Sequence, residues 1–475
     1  MDQKQVIKVL NEMTGRKIPV SPMYEKIQEW RAWLEGDVKG FHEYRQSTDL
    51  VTPKYTKIRR HKTNMLLRGS EDWASILLNE KTRIELDDAN TELWLLGENK
   101  NSGIFGQFDF SRNANELIAT SRWSGTAAFE VFVKEMKVTQ DTGVLLDGKD
   151  IGMNFLCADQ IIPISHDNGI LREVAFISDQ VDGDKTYQKV SLHTLDPNQL
   201  YTITSFTLDE DGKVIGDVNS VHTQCPYPWF SLIRKSGVNI HDYGSPFGVS
   251  IIDGNEDVLK GLDAAFDNFI VDFVLGRKQV FMNTTMFAHD TEGNAIAPQM
   301  SGANLFINVG DKLKDEKDLI HEFNPSLRVE ENSTGVQKML DLFSFKIGLG
   351  MKHYQFEGGV IQTATEYTGS KQDLVQNAAK EMIGIKSALT QIVRAVLWIG
   401  KNVLKAPIDA DTNITVHSDD SYIIDQETER KRWREEIAMG IRSRVEYRMH
   451  FYGESEEEAI KAVEAAQGNT DLFAE

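Results

Sequence analysis

A chain of 475 residues is longer than one hydrophobic core usually serves, so roughly two to four structural units are expected. With 40% hydrophobic and 26% charged residues it should fold, and no run reaches the ~18 uninterrupted apolar residues of a membrane span; the helix candidates around Phe269 and Leu397 are broken by Asp272 and Lys401. A formal charge of -20 disfavours tight nucleic-acid binding, which needs Lys and Arg gathered on one surface, but it suits a weakly repulsive wall past which a polyanion slides.

The opening Met1-Asp2-Gln3-Lys4-Gln5 has neither the basic segment nor the apolar run of a secretory signal, which predicts a cytosolic protein. Cys157 and Cys225 are too few for a disulfide framework and are not spaced as a metal clip, so reduced, packed thiols are expected. The first organised segment is expected at Ser21-Pro22, a cap and first turn leading into a helix with Ile27, Trp30, Trp33 and Leu34 that stops near Gly36. A second helix is expected over 54–64, its run Lys57, Arg59, Arg60, His61 and Lys62 forming a solvated face, with phosphate contact as the alternative. A third holds Trp73, Ile76, Leu77 and Leu78.

From about Gly125 to Trp229 the pattern turns to alternation, as in Phe129, Val131 and Val133, which predicts a β-rich unit. Asp167-Asn168-Gly169 and Asp211-Gly212 are hairpin-turn sequences. The tract Asp209-Glu210-Asp211-Gly212 looks like the start of a calcium loop, but the preceding helix and the closing glutamate are missing, so a turn is expected. The strongest helix runs from about Gly254 to Leu275, with Val258, Leu262, Phe266, Phe269 and Phe273 on one stripe, and Asp263 and Asp267 placed to repel on its flank. An excursion over 276–324 follows, with a strand at Gln279 to Met282 and a charged run from Asp311 to Asp318. Helix resumes near Ser333 with Val336, Met339, Leu340, Phe343, Phe345 and Ile347, and breaks at Gly348 and Gly350. The stretch 351–365, with Gly358-Gly359, is expected to be a mobile loop, and a long helix from about Glu366 to Leu404 ends before Pro407. In the last section Gly440 closes one helix, and Ser443 with Glu446 and Ser455 with Glu458 form capping boxes for the next two.

Catalytic signatures are nearly absent. There is no Gly-rich phosphate loop ending in Gly-Lys-Ser/Thr, no His-Glu-x-x-His and no paired Cys-x-x-Cys. Gly244-Ser245-Pro246-Phe247-Gly248 has its serine one place too early for a nucleophile elbow. A metal site assembled from distant carboxylates and some of the eleven histidines stays open.

The chain resembles the portal proteins, the head-tail connectors, of long-tailed phages infecting Gram-positive bacteria. The resemblance covers nearly the whole chain and rests on blocks in one order. These are Trp30-Arg31-Ala32-Trp33 with Gly40-Phe41-His42-Glu43-Tyr44; Trp73 through Lys81; and Ile161-Ile162-Pro163 with Phe176-Ile177-Ser178. Next come Ser245-Pro246-Phe247-Gly248-Val249-Ser250 leading to Leu259-Lys260-Gly261-Leu262-Asp263, and Thr363-Ala364-Thr365-Glu366. The last are Ala438 through Ser443 and Tyr452 through Ala459. Each block alone is mostly apolar residues and caps; their order is what is specific. Tyr367 departs from the family, which has an aliphatic residue there.

The resemblance implies an α+β portal fold, with an α/β wing, a long helical stem, a small α/β clip and a helical C-terminal crown. It maps as wing 1–240, first stem helix 241–275, clip 276–324, second stem helix 325–350, channel loop 351–365, a long wing or crown helix 366–406 and crown 407–475. It implies a ring, commonly of twelve subunits, that passes double-stranded DNA in packaging and ejection and nucleates capsid assembly. Its partners would be the terminase large subunit, a head-tail adaptor, and scaffold and major capsid proteins, with no membrane. Its place would be a capsid vertex of the virion, after assembly in the host bacterial cytoplasm. No catalytic, cofactor or metal residues are expected, and the chain is expected not to be an enzyme. The candidate channel-loop residues are Lys352, His353, Tyr354, Phe356, Gly358 and Gly359; those for stem packing are Leu262, Phe266, Phe269 and Phe273; those for clip docking are Lys312, Lys314 and Lys317. Another structural subunit of a virion or surface array, or a hydrolase with a dispersed metal site, are the alternatives.

Overall fold

The chain begins its core one helix earlier than Ser21. In the computed structural model, which describes residues 3–47, 55–98, 102–183, 185–282, 288–289, 291–292, 295–296, 306–308, 320–355, 372–418, 426–452 and 454–468, α1 (Gln3–Thr14) buries Val6, Ile7 and Leu10. Its apolar residues Val6, Ile7, Val9, Leu10 and Met13 recur at three and four residues, so this helix is legible in the sequence and Ser21 is not where the organised chain begins. α2 (Met23–Glu35) forms as expected: Ser21 Oγ accepts from Met23 N at 3.2 Å, Ile27, Trp30 and Trp33 are buried, and Gly36 closes the helix at a φ of 63°. The expected helix over 54–64 is instead a hairpin strand. β1 (Glu43–Ser47) and β2 (Tyr55–Arg59) pair antiparallel, with Tyr44 opposite Ile58. β-branched Thr56 and Ile58 suit a strand better than a helix, and Lys57 Nζ sits 3.5 Å from Glu43. α3 (Met65–Leu77), β3 (Arg83–Leu86), α4 (Ala89–Leu96) and α5 (Phe110–Ser124) follow.

The β-rich unit holds β4 (Thr126–Lys134), β5 (Lys137–Val138), β6 (Leu145–Asp147), β7 (Asp150–Cys157), β8 (Ile161–Asp167), β9 (Ile170–Asp182), β10 (Lys185–Leu195), β11 (Tyr201–Leu208), β12 (Val214–His222) and β13 (Phe230–Arg234). An antiparallel meander β12-β11-β10-β9-β8 faces a smaller sheet β13-β4-β7. Phe176 of the first sheet meets Phe230 of the second edge-to-face at 5.6 Å. Asn168 and Gly169, at φ 49° and 80°, make the expected tight β8–β9 turn. At the β11–β12 turn Asp209 Oδ1 accepts from Asp211 N (3.1 Å) and Lys213 N (2.8 Å), so its carboxylate is committed to the turn.

α6 (Glu256–Leu275) lies beside α7 (Val329–Lys346), and between them come β14 (Gln279–Met282), β15 (Ala288–His289), β16 (Ala295–Ile296), β17 (Phe306–Asn308) and β18 (Ile320–Phe323). β14 is the strand expected there; it pairs parallel with β17 and antiparallel with β18. α8 (Gln372–Asn402) is the long helix expected to start at Glu366, whose first residues lie outside the described ones. It is long and apolar enough to cross a membrane by length and composition, which the count of unbroken apolar runs missed. Its apolar face, including Ile385, Leu389, Ile392 and Val396, is buried against β13, β4 and β19 (Ile414–His417), as in a core helix. β19 pairs with β3, so the chain returns to its N-terminal part after α8.

α9 (Gln426–Ala438), α10 (Arg444–Tyr452) and α11 (Glu456–Gly468) complete the chain. Both capping boxes form: Glu446 N donates to Ser443 Oγ (3.0 Å) while Ser443 N donates to Glu446 (2.7 Å), and Ser455 with Glu458 repeats the pattern. Gly440, at φ 74°, ends α9. Cys157 and Cys225 are unlinked, and burial pushes their thiols up to about 12 and about 11.

Candidate assembly and channel surfaces

The end of the basic run, with Thr63 and His42, forms a clasp on α6. After β2 the chain passes under the helix, and buried Asp263 accepts from Thr63 N (2.8 Å) and Thr63 Oγ1 (2.7 Å), with His42 Nε2 3.1 Å from its other oxygen. One turn on, Asp267 accepts from His61 N (3.0 Å), has His61 Nδ1 at 2.8 Å and lies 3.6 Å from Arg60 Nε. The repulsion expected between Asp263 and Asp267 is thus offset, because each carboxylate has its own donors and Arg60 stands beside the second. Arg60 also lies over the rings of Phe41 (4.3 Å) and Tyr44 (5.2 Å). The run is not a helix, but Lys57, Arg59 and His61 are exposed as a solvated face requires, and the contacts of Arg60 and His61 with Asp267 had no sequence signal because the partners are some 200 residues apart.

Burial fades along α6. Leu262 is fully buried in its own chain and is not available to another; Phe266 and Phe269 are half-buried; Phe273, Val274 and Leu275 are exposed, Leu275 by 68%. The residues that lead into α7 add to this apolar end. Leu327 packs against Gly276, and Phe323, opposite Gln279, and Val329 are exposed too. α7 shows Leu342 and Phe345 on its outer face. Asp272 ties the two helices, accepting from Arg328 N (3.0 Å), Arg328 Nη2 (2.8 Å) and Asn332 Nδ2 (3.3 Å), and the Arg328 guanidinium holds its carboxyl below the usual range.

At the end of α7 the expected break is present, Gly348 and Gly350 taking φ of 86° and 83°. Trp73 Nε1 donates to Ile347 O (3.0 Å) and Asn377 Nδ2 to Gly348 O (3.1 Å), fixing the start of the loop to α3 and α8. Of the candidate loop residues, Lys352 is exposed at φ 61°, while Tyr354 donates its hydroxyl to Asp72 at 2.8 Å and packs on the core. Burial, and then the Asp72 carboxylate, push the Tyr354 phenol well above its ordinary value. His353 Nε2 is 4.0 Å from the same carboxylate. Phe356, Gly358 and Gly359, and the clip candidates Lys312, Lys314 and Lys317, lie outside the described residues.

One buried polar group looks superficially catalytic. Glu130 accepts from Ser191 Oγ and from Asn154 Nδ2 (2.9 Å), and His193 Nε2 lies 3.0 Å from it between the two sheets. Burial raises the Glu130 carboxyl, but the bonds from His193, Ser191 and Asn154 outweigh it and hold the group below its ordinary value. The serine hydroxyl is bonded to the carboxylate and lies 3.4 Å from His193 Nε2, so the cluster ties β10 of one sheet to β4 of the other. Among the described residues no three His, Cys, Asp or Glu side chains gather as a metal site.

No protein-family model and no curated protein matches the chain. Among solved structures it is similar to a chain from the neck of a native GTA particle, computed with C12 symmetry. The identity is 12% over 80% of this chain and 88% of that one, with a TM-score of 0.36. A likeness at that score assigns neither fold nor function to this chain.

Proposed function

We propose that this protein is a phage structural component of the connector type, and more finely a portal subunit whose ring passes double-stranded DNA. The observation that carries the reading is the helix pair α6–α7, rooted by its own chain at one end and apolar and uncovered at the other, with a small mixed sheet inserted between the helices. That is the arrangement a stem with a clip requires. An uncovered apolar helix end is costly in water and gains when copies pack side by side. The net charge of -20 supports a tunnel wall that does not grip DNA. In this reading the chain is mechanical and not an enzyme. The terminase large subunit supplies ATP hydrolysis, and the clip meets it and later the head-tail adaptor, while the rim engages scaffold and major capsid protein in the assembling virion.

The test is negative-stain microscopy with native mass spectrometry of the purified chain. Closed rings with an axial channel are expected. Monomers only, together with a metal-dependent hydrolytic activity lost on substituting clustered acids, would overturn the proposal.

A further inference from the structure

We infer that a cavity at the base of the loop, where α5, the segment after β13, the end of α7 and α8 meet, binds a phosphate-class oxyanion. The cavity measures about 390 Å³ and is lined by four cations, Arg122, Lys235, Lys346 and Lys380, against two carboxylates, Asp253 and Glu381. Both carboxylates are already engaged. Glu381 pairs with Arg122 and accepts from Ser236 N at 3.1 and 3.0 Å, and Asp253 has His241 Nε2 at 2.7 Å.

The cations are not so well served. Arg122 is 1% exposed, donates through Nη1 to Glu381 and through Nε to Ser121 Oγ at 3.2 Å, and leaves Nη2 without a partner. Among the described residues Lys235 donates to the carbonyl of Ser236 at 3.3 Å, and neither it nor Lys346 or Lys380 makes an ion pair. Burial pushes the Lys235 ammonium below its ordinary range, as expected of a desolvated cation without a bonded counterion. Setting Arg122 against Glu381 and one lysine against Asp253 leaves two positive charges uncompensated, on a chain whose total is -20.

A desolvated ammonium without a bonded counterion is costly, and a tetrahedral dianion seated among Lys235, Lys346 and Lys380, beside the Arg122 guanidinium, offsets the two charges left over. A single carboxylate would leave one charge over. The exposed Lys346 and Lys380 stand at the mouth, where the anion is free or part of a nucleic-acid backbone. Because Ile347, Gly348 and Asn377 share the wall, an occupied cavity would brace the root of the loop. The inference is independent of the portal reading.

The test is thermal melting and calorimetry of the full chain with about 10 mM inorganic phosphate, against sodium chloride of equal ionic strength. Phosphate should raise the melting temperature where chloride does not. The double variant Lys235→Gln with Lys380→Gln should keep its melting temperature in chloride and weaken phosphate binding about tenfold or more. The lysines carry the test because Arg122→Ala, which strands Glu381, is liable to unfold the chain. Displacement of phosphate by a DNA duplex assigns the site to backbone phosphate, and no displacement assigns it to the free anion. No phosphate-specific shift in the native chain, or an equal shift in the double variant, overturns the inference.

Discussion

The two ends of α6 are treated in opposite ways by the same molecule. Near its start the helix buries a carboxylate, Asp263, the kind of group that is expensive to desolvate, and the chain supplies a backbone N–H, a hydroxyl and an imidazole to meet it. At its finish it leaves Phe273, Val274 and Leu275, which are cheap to bury, facing water. Helix propensity does not distinguish these ends; neighbours do. A chain meant to stand alone would cover the apolar end and leave the acids wet. The reversal teaches that α6 is fixed in angle by directional polar contacts at one end and leaves non-directional apolar surface exposed at the other. Scattered exposed apolar residues are ordinary, but here Phe323, Leu327 and Val329 gather beside the same helix end.

The comparison is broken most severely at its polar end. Asp263→Ala strands three donors in a buried place, and a loss of about 3 kcal/mol in urea unfolding is expected. A loss under about 1 kcal/mol would mean that the clasp is not what roots the helix. Asp267→Ala should cost less, about 1 kcal/mol, because His61 is half exposed and its freed N–H groups turn to water. Equal losses from the two variants would remove the distinction between a buried and a rim carboxylate.

These two aspartates also mark what the sequence allowed to be read. The α6 stripe, the α7 break at Gly348 and Gly350, the Asn168-Gly169 hairpin and both capping boxes are local, each written within a few residues by periodicity, φ preference or a side chain returning to its own backbone. The clasp is not local. Lys57 to Lys62 was legible as charge, yet its strand pairing depends on β1 and the contacts of Arg60 and His61 on Asp267, far along the chain. Cross-strand partners and buried ion pairs such as Arg122 with Glu381 leave no spacing to detect. The stem candidates were legible as a stripe, but the stripe does not say which residue faces the chain's own core, as Leu262 does, and which faces out, as Phe273 does. In the candidate channel loop, composition suggested mobility, whereas the Tyr354 bond to Asp72 anchors the loop's first residues.

A gentler probe lies between the two ends, at Asp272. Its carboxyl titrates below the ordinary 3.8 because of the bonds from Arg328, so the tie contributes fully above that value and is lost as pH falls through the lower folded value. The stability difference between the native chain and Arg328→Ala should therefore stay constant from neutral pH down to about 4 and shrink below it. A difference that changes between pH about 5 and 7 would place the relevant titration elsewhere.

The smallest effect on the chain itself is expected at the apolar end. In Phe273→Ser with Leu275→Ser the two side chains already face water, so unfolding of the isolated chain should shift by no more than about 0.5 kcal/mol. Assembly is another matter. If neighbouring copies cover this end, each interface loses the burial of two large side chains, at roughly 25 cal/mol per Å² of apolar surface, and the loss recurs at every contact around a ring. Native mass spectrometry at matched concentration should then show the ring replaced by smaller species while the melting of the monomer is unchanged. Rings that persist at native levels would mean that the uncovered end of α6 faces something other than a second copy, and the division of labour along the helix would have to be explained by a different partner.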